Sequence, residues 1–198
     1  MRKTRKAAAI LTAAAMAAAS AMPVMADEIK DLYDYETQAR EVETWNILHS
    51  QSAADLNVLT NLYDGLVEAD EYGKVVPAIA ESWETEDNGI TWTFHLREGV
   101  KWVDQNGNEK GEVTAQDFLT GLEWILNFHK NDAANTSMPM EMIVGAEDYY
   151  NMTSELDADA GFALTAESPE FADTVGIKAI DDYTLQYTCV SEKPYLIP

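Results

Sequence analysis

Between Asp87 and Leu119 the chain carries a pattern with few structural solutions. Ile90, Trp92, Phe94 and Leu96 alternate with Thr91, Thr93 and His95, the period-two signature of a strand that buries one face and wets the other. Asp87-Asn88-Gly89 is a turn signal ahead of it. A second strand follows Glu98-Gly99 over Val100–Val103, and Asn106-Gly107 can supply the positive backbone angles of a tight turn. Thr114 stands three residues before Asp117, resembling a capping box with Asp in place of Glu. Phe118, Leu119, Leu122, Ile125, Leu126 and Phe128 then give the apolar stripe of the helix that Thr114 opens.

The flanks are less sharply marked. Ile29–Glu36 is compatible with a first strand. Leu56, Leu59, Leu62, Tyr63 and Leu66 recur at three and four, predicting a helix entered near Asp55 and stopped at Gly65. Val75–Ala80 reads as a short extended-to-helical passage, Asn131–Pro139 as a loop and Met140–Tyr150 as a helix. Small and acidic residues from Thr153 to Asp173 predict a solvated loop, with room for a short helix. Val175–Ile180, Asp181-Asp182 and Tyr183–Val190 read as strand, turn and strand. Trp83, Trp92, Trp102 and Trp124 either line a cleft or fill a core; Trp92, on the apolar face of its strand, is read as core.

The amino terminus carries an address instead of a fold. Arg2, Lys3, Arg5 and Lys6 precede an Ala-rich run ending in Val24-Met25-Ala26, which is the layout of a secretory signal peptide cleaved before Asp27. No Cys follows that run to accept a lipid. The whole sequence has 13 Lys and Arg against 35 Asp and Glu, a formal charge of −22, and the leader holds four of the cations. Such a surface repels phosphate backbones and anionic membranes, so nucleic acid is not an expected partner, whereas cationic solutes are attracted. From Met140 onward there are twelve acids and two lysines. Cys189 is the only cysteine, so no intramolecular disulfide forms, and it is expected to pack as a small hydrophobe.

The common catalytic sequence patterns are absent. The sequence has no Gly-x-Ser-x-Gly, no phosphate-binding Gly-x-x-x-x-Gly-Lys-Ser/Thr and no His-Glu-x-x-His. His49, His95 and His129 are dispersed, and His95 falls on the polar side of its strand as a surface or cross-strand residue. Asp104-Gln-Asn106-Gly-Asn108 has Gly107 at the fourth place and Ala115 at the twelfth, which rejects a calcium loop and leaves a turn. Carboxylates are too numerous for any pair to be informative as a glycosidase dyad. Asn135-Thr-Ser and Asn151-Met-Thr match the glycosylation sequon, a pattern that arises often by chance. No catalytic residue, metal ligand or cofactor is assigned.

Several segments together resemble a known family. Asn-Leu-Tyr-Asp-Gly-Leu-Val (61–67), Pro-Ala-Ile-Ala-Glu-Ser-Trp (77–83), Thr-Trp-Thr-Phe-His-Leu-Arg-Glu-Gly-Val-Lys-Trp (91–102), Val-Thr-Ala-Gln-Asp-Phe (113–118), Ile-Lys-Ala-Ile-Asp-Asp-Tyr-Thr-Leu (177–185) and Glu-Lys-Pro-Tyr (192–195) occur in that order. In order and spacing they are similar to the extracytoplasmic solute-binding proteins of oligopeptide and dipeptide ABC importers, solute-binding protein family 5. The resemblance implies a periplasmic-binding-protein type II-like α/β fold, with a mixed sheet in which two lobes close on a peptide. It implies start of lobe I over 27–65, an inserted subdomain over 66–174 and a return to the lobe I sheet over 175–198. Members are longer, so most of the second lobe is expected to fall outside this sequence, and the chain by itself is not expected to close on a ligand.

The implied function is capture of extracytoplasmic peptides, without catalysis, and delivery to the permease subunits of an ABC transporter. The expected location is the periplasm, or the cell exterior where there is no outer membrane, and the expected state is a monomer. Some oligopeptide binders carry Arg just before the Asn-Leu-Tyr-Asp-Gly motif; here that position is Thr60. The resemblance puts Ser50, Gln51, Ser52, Ala53, Ala54 and Thr60 near the ligand, with loop and helix-cap duty as their ordinary alternative. A secreted acidic hydrolase with its catalytic half elsewhere is the rival class. A binder of nickel or another metal complex on the same fold has no His or Cys cluster here to support it.

Overall fold

A computed structural model describes residues 41–50, 52–130 and 136–193. The expected leader, the strand expected at Ile29–Glu36, Gln51, the sequon at Asn135 and the segment beyond Lys193 lie outside the described residues.

The centre is a four-stranded antiparallel sheet in the order β3-β4-β8-β7, formed by β3 (Ala80–Glu86), β4 (Thr91–Leu96), β7 (Ile177–Asp181) and β8 (Thr184–Thr188). Along β4 the alternation is complete. Trp92, Phe94 and Leu96 are buried, and Thr91, Thr93 and His95 half-buried, on the opposite face. Asp87, Asn88 and Gly89 all take positive φ in the turn from β3 to β4, a conformation that Asn, Asp and Gly adopt most readily. The long return from the helical region lays β8 beside β4, with Phe94 opposite Leu185. The strands within residues 177–188 thus share one sheet with those within residues 80–96.

Two small hairpins flank this sheet. β1 (Val67–Ala69) pairs with β2 (Val75–Pro77), and β5 (Lys101–Val103) pairs with β6 (Glu109–Glu112). Val75–Pro77 is extended, the chain bends at Ala78 and Ile79, and Ala80 enters β3, so the passage expected to turn helical forms no helix. Asp104 closes the β5–β6 turn by accepting from the Asn106 and Asn108 backbone N–H groups and Asn108 Nδ2, with Lys110 Nζ 3.0 Å away. Of the Asn-Gly pair, only Gly107 takes positive φ.

Helix α1 is Ala53–Leu59 and α2 is Ala115–Leu126. The Asp117 carboxylate accepts from the Thr114 backbone N–H at 2.7 Å and from its Oγ1 at 3.2 Å, so the capping box forms. Ala115, Leu119, Leu122 and Leu126 are buried, and α2 packs against β7. Each large apolar side chain buried here stabilises by about 1.5–3 kcal/mol. Phe94, Leu185 and Ile177 from the sheet and Tyr149 and Phe171 from the later helices complete this core. Trp92 lies in it, as expected; Trp102 is exposed.

The later region departs most from expectation. In place of one helix over Met140–Tyr150 there are two, α3 (Ser137–Met142) and α4 (Ala146–Glu155). The break has a cause: Ile143 bridges to Cys189, and Gly145 has φ +69 against the Thr174 carbonyl. In place of a solvated loop, Thr153–Asp173 holds α5 (Ala158–Ala163) and α6 (Pro169–Ala172), whose Phe171 is fully buried. A polar clasp ties them to the end of α2. Buried Glu123 meets Lys130 Nζ at 2.9 Å and accepts from Asn127 Nδ2 at 2.8 Å and the Tyr149 hydroxyl at 2.9 Å. Asn127 Nδ2 also donates to the Gly161 carbonyl at 2.9 Å, and Lys130 Nζ to the Leu164 carbonyl. Burial, with Glu123 beside it, pushes the Tyr149 phenol well above its ordinary pKa. Both charges of the clasp are paired and hydrogen-bonded, the condition under which burying them is tolerated.

Candidate ligand-binding site

The candidate residues gather around α1. Ahead of it the chain turns on Asn46, whose backbone carbonyl accepts from the N–H groups of His49 and Ser50 at 3.1 Å each, while its Oδ1 accepts from Leu48 N at 3.0 Å. Asp55, nearly fully buried, anchors the turn to the helix. Its Oδ1 accepts from Glu43 N at 3.0 Å and its Oδ2 from the Ser50 hydroxyl at 2.9 Å. Ser50 Oγ in turn accepts from Ser52 N at 3.2 Å.

Ser50 is therefore engaged on both sides of its hydroxyl and serves the turn. Ser52 is different. It occupies the N-cap position with extended backbone, and its carbonyl accepts from Leu56 N at 2.9 Å. A serine there normally caps the helix through its side chain, yet this hydroxyl makes no such bond. The residue is only 7 % exposed, and its Oγ is buried without a hydrogen-bond partner. Leaving a buried hydroxyl unpaired costs about 1–3 kcal/mol. Ser52 Oγ is the one buried side-chain oxygen or nitrogen so left among the described residues.

Ala53 is exposed and Ala54 half-buried, so each can offer a ligand its backbone and a methyl group. Thr60 is at the other end of α1, exposed, with Oγ1 donating to the Asn57 carbonyl at 3.1 Å. Eight residues of helical rise separate Ser52 from Thr60, roughly 12 Å along the axis. The fold brings Ser50 and Ser52 together and sets Thr60 apart from them; Gln51 lies outside the described residues. Helix α1 ends at Leu59, six residues before the Gly65 stop that the apolar spacing predicts, because a run of turns takes over. Leu62, Tyr63 and Trp45 consequently sit exposed beside it, with the Tyr63 hydroxyl 3.4 Å from the Trp45 carbonyl.

Asp55 is the residue that sequence reasoning assigned only to helix entry. Ser52-Ala-Ala-Asp55 has capping-box spacing, which marks Asp55 as an acceptor for this turn. Its actual partners, Ser50 and Glu43, are set by tertiary closure that the spacing does not encode.

A second concavity opens at one end of the sheet, an open depression of about 530 Å³ bordered by Glu81, His95, Glu98, Asp181, Asp182 and Tyr183. His95 and Asp181 are committed locally. His95 Nε2 lies 3.0 Å from the Glu84 carboxylate, and Asp181 accepts from Tyr183 N and Thr184 Oγ1, which holds its carboxyl below the ordinary range. Cys189 is buried, and that burial pushes its thiol up. Among the described residues no three His, Cys, Asp or Glu side chains converge as metal ligands. No described helix is long and apolar enough to cross a membrane.

Comparison with known proteins adds an independent measure. Residues 74–198 match the family described as bacterial extracellular solute-binding proteins, family 5 Middle. The chain is 35% identical over 163 residues to the oligopeptide-binding protein AliB of Streptococcus pneumoniae, covering 82% of this chain and 22% of that one. Among solved structures it is similar to the substrate-binding domain of an oligopeptide ABC transporter from Bacillus anthracis. The TM-score is 0.62 at 28% identity, covering 81% of this chain and 26% of the other. Haemophilus influenzae OppA in complex with RPPGFSPFR gives TM-score 0.59 at 28% identity, covering 78% and 26%. The chain spans about a quarter of the length of the relatives it matches.

Proposed function

The chain belongs to the bacterial extracellular solute-binding proteins of family 5, and from that membership we propose that it acts in capturing extracytoplasmic peptides and delivering them to the membrane subunits of an ABC importer. The observation that carries this reading is the match over residues 74–198, supported by relatives named as oligopeptide-binding proteins. The role is binding without chemistry on the ligand, by a monomer exported through the leader at 1–26 to the periplasm or the cell exterior.

The division of the chain belongs to the same proposal: 27–65 begins lobe I, 66–174 is a subdomain inserted in it, and 175–198 returns to it. Strand β8, in the last of these parts, pairs with β4 in the second, so those two parts have one sheet in common. Extended peptides suit such a protein, since main-chain hydrogen bonds ignore side-chain identity while hydrated pockets accept variety. Closure of two lobes about a hinge then converts occupancy into a shape that a permease can read. Ser50, Gln51, Ser52, Ala53, Ala54 and Thr60 are the proposed ligand contacts. Ser52 has the strongest support, because a buried hydroxyl without a partner gains most from a ligand that supplies one.

The test is thermal unfolding of the full-length protein with and without a mixed peptide library. A ligand at 100 times its Kd adds about 2.7 kcal/mol of stability, which appears as a raised melting temperature. No shift with any peptide pool overturns the reading.

A further inference from the structure

The end of α2 and the helices that follow carry a surface feature that holds none of the proposed ligand contacts. Tyr150, Phe128, His129 and Phe162 form a continuous run of rings. Phe128 meets Tyr150 edge-on at 5.8 Å and His129 edge-on at 5.3 Å, and His129 meets Phe162 at 6.4 Å. The run is held rigidly. His129 Nε2 donates to the Leu156 carbonyl at 3.0 Å, and its ring lies against Gly161, where a Cβ would collide with it. Phe128 N donates to Thr153 Oγ1 at 3.0 Å. Despite this fixed geometry, Phe128 is 45 % and Phe162 57 % exposed. Scattered single apolar residues at a surface need no explanation, but joined aromatic rings mark interaction sites.

Charge identifies what would cover them. From Gly111 to Ile177 the sequence has thirteen Asp and Glu and a single Lys. That lysine, Lys130, is tucked against Glu123, so it offers no positive charge to a partner. Glu147 stands three residues before Tyr150 on α4 and Asp159 three before Phe162 on α5, spacings that put each carboxylate beside its ring. Both are exposed. Aromatic faces and carboxylates attract the same group, a cation with some apolar body. A second copy of this chain, like an anionic lipid surface, would meet charge of its own sign.

We propose that the Tyr150–Phe128–His129–Phe162 run is a docking surface for a basic polypeptide segment, whose Arg or Lys side chains lie over the exposed rings and reach Glu147 and Asp159. None of its residues is among the proposed contacts for the captured peptide, and its occupant is a partner and not the transported solute.

The test is fluorescence anisotropy of a labelled Arg-Gly-Leu repeat peptide titrated with the full-length protein, with a Gln-Gly-Leu repeat as the uncharged control. Either peptide can enter the capture site, so the expected sign is additional, salt-sensitive binding that only the basic peptide shows. Phe162→Ser should weaken it at least about tenfold. The pair Glu147→Gln and Asp159→Asn should weaken it and flatten its salt dependence, with unfolding midpoints unchanged. Tyr72→Ser removes a ring that is 85 % exposed on the β1–β2 turn and should change nothing, and Ser52→Ala should lower only the binding that both peptides share. Loss of the additional binding with Ser52→Ala but not with Phe162→Ser would show the basic peptide entering the capture site and overturn the proposal. So would equal binding by all variants, or a patch variant whose only effect is on self-association.

Discussion

If Ser52 contacts the ligand as proposed, stability and binding pull in opposite directions there. Its hydroxyl is buried, caps nothing and bonds nothing, so Ser52→Ala removes an unsatisfied group without breaking a hydrogen bond. The unliganded variant should unfold at the same or a higher temperature, by up to about 1 kcal/mol, while its affinity for peptide falls several-fold. Calorimetric titration beside thermal scans reads both; a variant that loses stability and keeps affinity would return Ser52 to ordinary helix-cap duty. Glu112 gives a pH-dependent counterpart. The Lys101 ammonium at 2.8 Å, then the Tyr183 hydroxyl at 2.6 Å and Gly99 N at 2.7 Å, hold its carboxyl down to about 2 from an ordinary 4.5. A depressed folded value means that its contribution is complete above 4.5 and lost as pH falls through about 2. Tyr183, donating to Glu112, is raised to about 12 from 10, so its part is complete below 10 and lost as pH climbs through about 12. Denaturant midpoints measured from pH 7 to pH 2 should decline in the parent and decline less in Glu112→Gln.

At the scale of elements, legibility followed periodicity. β4 could be read residue by residue because one face is buried and the other wet, and α2 because its stripe and capping box agree. β3 and β6 were illegible for the converse reason: Glu81, Ser82, Glu84, Glu86, Glu109 and Lys110 are exposed, so only partner strands hold those segments extended. Helix α1 was overextended because Leu62 and Tyr63 keep helical spacing although they face outward. The break between α3 and α4 was hidden because its cause is tertiary. Gly145 combines a left-handed φ of +69 with close approach to Thr174, and neither is written in the local pattern. Gly145→Ala should therefore destabilise by at least about 2 kcal/mol, combining the left-handed penalty with the clash. Chemical denaturation tests this; a loss of only a few tenths would mean that the break is readily rearranged. For the candidate site, order in sequence disclosed the neighbourhood but not the bonding. Ser50 and Ser52 do lie together, yet their unequal roles depend on Asp55, which a spacing alone cannot aim.

For the molecule as a whole, the order of six short motifs disclosed the family, because their spacing reflects a chain path that the solved relatives share. The described region supplies a four-stranded sheet with two small hairpins, the helices packed on it and a flanking turn that presents a serine hydroxyl without a partner, within a sequence of net charge −22. The account rests on capture without transformation. Native mass spectrometry of the full-length protein incubated with defined peptides addresses that directly, by weighing the complex and then the released ligand. The account predicts one peptide per protein, released with its mass unchanged; absence of any complex, or release of cleaved fragments, would contradict it.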